Sequence, residues 1–223
     1  MLRGPNYKGR SPEKIISEKI YFDSVGYVYR ALSWLDVAQR DNYNPCALQY
    51  AAHDTRQAIE QLLFEEIVLS VGTELDRKEY EKCKGNSTKL HKVIKRLNPD
   101  YEKLAEFTQA IVSVEPHEPK LVRWDHNLLM KHWGKVSKYL HWSGEPAETV
   151  ESEDWITEGI AAVNAAAIYI WDKNRSGYTG IMMPKGMQPE IKDCWERFRA
   201  GKDDIDAVKR IAHIALPILK KRY

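Results

Sequence analysis

The chain has 223 residues, 43% of them hydrophobic and 30% charged, enough to bury a sizeable core in one large globular domain or a domain with an appended subdomain. Lys and Arg number 34 against 32 Asp and Glu, and the resulting net charge of +2 excludes a whole-surface electrostatic argument for nucleic acid or membrane, so any basic site must be local. The three cysteines, Cys46, Cys83 and Cys194, lie far apart without a CxxC pair, so neither a disulfide framework nor a zinc ribbon is expected, and a reducing cytoplasm is the expected location.

The first residues, MLRGPNYKGRSPEK, are basic but lack the apolar run of a signal peptide, and a loose arm is expected over residues 1–14. From Ile16 to about Gln39, Ile20, Val25, Val28, Tyr29, Leu32 and Leu35 recur at steps of three and four, the pattern of one amphipathic helix. Asp41 and Asn42 end it. Asn44-Pro45 supplies a cap and a first-turn proline for a second helix, whose stripe is Leu48, Ala52, Ile59, Leu62, Leu63 and Ile67 and whose stop is Gly72. The short connection predicts an antiparallel pair.

Ser87 or Thr88 can cap a short helix through Leu90, Val93, Ile94 and Leu97, and Asn98-Pro99 opens another through Tyr101, Leu104 and Phe107. Pro116 and Pro119 break the chain before a helix that contains LLMKHWGKVSKYLHWSG and ends at Gly144 and Pro146. An acidic loop then leads to Trp155–Trp171, where Ile156, Ile160, Val163, Ala167 and Trp171 share a face. Its longest apolar run, Ile160–Trp171, is 12 residues, short of the roughly 20 needed to cross a bilayer. Residues 172–188 form an irregular flap rich in glycine and methionine; Met182, Met183 and Met187 suit core packing or an adaptable contact surface. Two helices follow, the second capped by Asp203 or Asp204 and carrying Pro217 late. The expected class is all-α, an antiparallel bundle of seven or eight helices, with 15–145 as the bundle and 146–223 as a helical extension packed on it.

Helical geometry sorts the candidate site residues. At about 100° and 1.5 Å per residue, His126, His132 and His141 cannot converge from one helix, and no HExxH pair exists elsewhere, so no metal site is expected. Lys131, Lys135 and Lys138 fall on one stripe, bracketed by Trp124 and Trp142, where lysines can meet phosphates and an indole can stack on a base. The alternative is a solvated face. Leu129, Trp133, Val136 and Leu140 form the inward stripe. Gly134 marks either a close helix approach or a tolerated glycine. His141, at the helix end, is the best acid–base candidate. On the second helix Arg56 and Glu60 suit a surface ion pair or a polar seam at an interface, and Asp54, Glu65 and Glu66 read as solvated charges.

The alanine-rich segment ALQYAAHDTRQAIEQLLFEEI and the later helix ending in Tyr139-Leu140-His141 together resemble the HEPN superfamily of helical-bundle proteins, over about residues 16–144. Ribonuclease members carry an arginine, four to six residues and then a histidine, which meet across a dimer to cleave RNA without metal. Here Lys135 stands at that spacing before His141, and lysine lacks the forked phosphate contact of arginine. The resemblance therefore implies a module that binds RNA, a nucleotide or a protein partner without efficient catalysis or a cofactor, as a homodimer through the first two helices. The alternatives are a metal-independent ribonuclease using His141 with Lys135, and a purely structural interaction module.

Overall fold

The computed structural model describes residues 6–41, 44–71, 78, 89, 92–93, 95–96, 98–114, 121–140, 152–179 and 181–220. Their regular structure is nearly all helical, as the periodicities predict. The helices are α1 (Pro12–Ser17), α2 (Ser24–Arg40), α3 (Pro45–Val71), α4 (Tyr101–Ser113), α5 (His126–Ser137), α6 (Glu153–Ser176), α7 (Pro189–Arg199) and α8 (Ile205–Lys220). Two short strands, β1 (Leu121–Val122) and β2 (Tyr178–Thr179), pair in parallel. Among the described residues, no helix is long and apolar enough to cross a membrane.

The chain divides into two units, one of Met1–Phe64, Gly85–Thr88 and Trp124–Arg175, the other of Glu65–Lys84, Lys89–Arg123 and Ser176–Tyr223. This is not the expected division at residue 145. In the first unit α6 lies so close to α3 that a Cβ on Gly159 would sit 2.7 Å from Leu48 Cδ2 and 2.9 Å from the Tyr139 ring. The shared apolar face expected of α6 is buried from Ile156 to Trp171, and that burial draws the helix into the first unit.

The arm and the first long helix also differ from expectation. Residues 6–14 are tied down: Arg10, only 4% exposed, donates from Nη1 to Ser33 Oγ at 2.8 Å, pairs with Glu18, and lies 4.7 Å from the Tyr29 ring centroid. The Gly9 amide donates to Asp36 and Arg40 donates to the Arg10 carbonyl. The single helix expected over 16–39 is two, because Asp23 accepts from the Gly26 amide at 2.7 Å and starts α2 afresh. There the chain doubles back, with the Tyr21 carbonyl only 2.0 Å from where a Cβ on Gly26 would lie. Val25 is consequently exposed rather than inward.

The α2–α3 pair is antiparallel as predicted. Asn44 caps α3 by accepting from the Cys46 and Ala47 amides, and Trp34 packs on Tyr50 while Arg30 reaches Asp54, so one helix rises as the other descends. Gly72, the expected stop, lies outside the described residues, as do Asn42, Ser87, Thr88, Leu90, Ile94 and Leu97.

The second unit is built on α4, α7 and α8, whose apolar faces meet at Leu104, Phe107, Ile111, Trp195, Val208 and Ala212. Phe107 meets Trp195 edge-on at 5.3 Å. α4 begins at Tyr101 rather than at Pro99. Gly201, at φ +70°, ends α7 with the Lys202 amide donating to the Arg197 carbonyl, and Asp204, not Asp203, caps α8. The expected flap at 172–188 is partly absorbed: 172–176 continue α6, Met187 is buried in the core and Met182 packs against it. The Met182 amide donates to Thr108 Oγ1 at 3.0 Å, fixing this segment on α4.

Candidate nucleic-acid interface

α5 starts where Asp125 accepts from the Leu128 amide at 2.9 Å. Leu129 and Val136 point into the core, which leaves Lys131, Lys135 and Lys138 exposed at spacings of four and three. None of the three has an ion-pair partner among the described residues. Their field reaches His132, on the same helix and half-buried 5.5 Å from the Tyr169 ring: burial first, then Lys135 and Lys131, hold its imidazole below the ordinary range. Among the described residues, this surface is cationic with no ion pair to offset it.

The tryptophans do not bracket it as expected. Trp124 precedes the helix, so extrapolating helical phase back to it fails, and it is 6% exposed. It packs edge-on against Tyr169 at 6.1 Å with Lys173 Nζ 5.7 Å from its ring, and stacking on a base is closed to it. Its indole N–H finds no acceptor among the described residues. Trp142 and His141, the second stacking residue and the acid–base candidate, lie outside the described residues, so Lys135 is placed without the histidine expected to work beside it. α5 ends at Ser137, ahead of the expected Gly144, and Leu140 is half-buried.

Trp133, expected wholly in the core, is half-buried for a polar reason. Its Nε1 donates to Glu60 Oε1 at 3.0 Å, the same oxygen that accepts from Arg56 Nε at 2.9 Å, and the Arg56 guanidinium lies 4.8 Å from the Trp133 centroid. Arg56 and Glu60 thus form a seam between α3 and α5 of one chain, with both side chains largely covered. Gly134 has nothing within 4 Å of a built Cβ, which makes it a tolerated glycine.

One cluster escaped the sequence reading. Asp54 is a buried acceptor, not a solvated charge: 2% exposed, it receives Arg30 Nε and Nη2 at 2.6 Å each and approaches exposed His53 Nδ1 at 3.3 Å. The signal was present in its phase with Ala47, Ala51 and Ala58, all inward on α3. The partner lies 24 residues away on another helix, beyond what spacing reveals. Among the described residues, no three His, Cys, Asp or Glu side chains gather as a metal ion would require. Cys194 is buried, and that burial pushes its thiol up to about 11, leaving it unreactive.

Fold and surface together define an all-α chain whose Lys131, Lys135 and Lys138 have no ion-pair partner among the described residues. No known protein family, no curated protein and no solved structure matches it.

Proposed function

We propose that the chain is a HEPN-like module that binds RNA or a nucleotide through the lysine face of α5, without efficient catalysis. The supporting observation is the presence of three exposed ammonium groups on α5 and its C-cap residue, none with an ion-pair partner among the described residues. Such groups release counterions when they meet phosphates, so affinity falls steeply with salt. The test is binding of a single-stranded RNA oligonucleotide across a salt series, for the parent and for Lys131→Gln, Lys135→Gln, Lys138→Gln together. Removing three contacts flattens the log–log salt slope by about 2, at roughly 0.7 per contact. An unchanged slope, or no RNA affinity in the parent, removes the reading.

A protein partner, a second copy included, is the second reading. It is favoured by Ile16, Tyr21 and Phe22, which are 74%, 84% and 73% exposed, since clustered exposed apolar groups mark interaction surfaces. The solution mass of the parent against Tyr21→Ser, Phe22→Ser tests the homodimer: a monomeric parent rejects it.

A further inference from the structure

A cleft of about 550 Å³ opens in the first unit, walled by α1, α2, α3 and Leu140, and none of the α5 lysines lines it. That volume suits a small molecule, for which sites run from about 300 to 1,000 Å³. Ile15, Ile16 and Leu140 give it an apolar side. Trp34 and Tyr50, with centroids 5.0 Å apart and planes tilted by 34°, give it an aromatic corner. The polar end is the cluster of Arg30, Asp54 and His53.

Charge decides what that end accepts. The Asp54 carboxylate cancels the Arg30 guanidinium that it grips at 2.6 Å, so the pair offers an anion little net attraction. Directional groups remain. Arg30 spends Nε and Nη2 on Asp54, and its Nη1 makes no hydrogen bond among the described residues, leaving a donor. A carboxylate only accepts, so the 3.3 Å contact places a hydrogen on His53 Nδ1, and in that tautomer an uncharged ring would offer Nε2 as an acceptor. One donor and one acceptor at the end of an aromatic, apolar slot match an amide, which returns an acceptor and a donor.

We propose that this cleft binds an uncharged planar heteroaromatic ring bearing an amide, whether built into the ring, as in uracil, or attached to it, as in nicotinamide. The ring lies against the Tyr50 corner and the amide meets Arg30 and His53. The site is separate from the lysine face and does not depend on the nucleic-acid reading.

Isothermal titration of the full chain with uracil and nicotinamide tests it, beside 1,3-dimethyluracil, which lacks the N–H, and nicotinate, which carries a charge. At least one amide binds saturably and its control binds about tenfold more weakly or worse. Tyr50→Ala and His53→Ala, both at exposed positions, lose that affinity with the fold intact by circular dichroism. The three-lysine variant keeps amide binding in full. Absence of binding by both amides, equal binding of the controls, unchanged affinity in both variants, or loss in the three-lysine variant overturns the proposal.

Discussion

Arg30 and Asp54 join α2 to α3 by a fork, two hydrogen bonds of 2.6 Å onto a carboxylate that is 2% exposed. The carboxylate raises the Arg30 pKa by hydrogen bonding and, behind it, by charge, against the opposing effect of burial. Replacing Asp54 by Ala strands the guanidinium beside apolar side chains. Breaking a buried pair destabilises by roughly 3–5 kcal/mol, and because Arg30 keeps about a quarter of its side chain in solvent, the low end is expected. Urea unfolding of Asp54→Ala against Arg30→Met, Asp54→Leu checks it: the double variant should recover most of the loss, and an equal loss in both would contradict the account.

The lysine face has a pH signature. His132 is held below its ordinary value of 6.5, by burial first and then by Lys135 and Lys131. The unfolded imidazole takes up a proton that the folded one refuses, so between the ordinary and the folded value the unfolded state binds more protons. Stability therefore falls as pH drops below about 6.5. Proton NMR of His132 in the three-lysine variant should show its pKa rising but remaining depressed, because burial is the larger cause.

Two glycines predict opposite outcomes. Gly159→Ala forces a Cβ to within 2.7 Å of Leu48 and 2.9 Å of Tyr139, an overpacking that destabilises by about 1–3 kcal/mol. Gly134→Ala meets nothing within 4 Å on an exposed helix and gains up to about 1 kcal/mol. Thermal melts of the two variants separate a required glycine from a tolerated one.

The amino-terminal segment is tested by Arg10→Ala. Loss of the contacts to Ser33, Glu18 and Tyr29 should release α1, read as faster amide exchange at the Ile15 and Glu18 amides, which are bonded to Ser11 and Lys14. Unchanged protection there would show that the buried Ile15 alone holds the helix.

Helix existence was legible because the determinants are local: apolar residues at steps of three and four, Asn44-Pro45 as a start, Pro189 and Asp204 as later ones. Where a start signal was local but unread, as at Asp23 and Gly26, the periodicity ran two helices into one. Lys131, Lys135 and Lys138 were legible as a stripe for the same reason, since helical phase alone puts them together. Phase misled at Trp124, which stands before the cap and so outside the helix whose geometry was applied to it.

What the sequence by itself determined was thus the all-α class, the antiparallel α2–α3 pair and the cationic stripe, all properties of neighbours within a few turns. Only the tertiary structure decided that α6 joins the first unit, that Glu60 takes both Arg56 and Trp133, and that Asp54 is buried against Arg30. Each of those depends on two segments far apart in the chain meeting within contact distance. A buried charge is tolerated only where the chain brings its counter-charge within hydrogen-bond reach, and no local pattern records where that partner comes from.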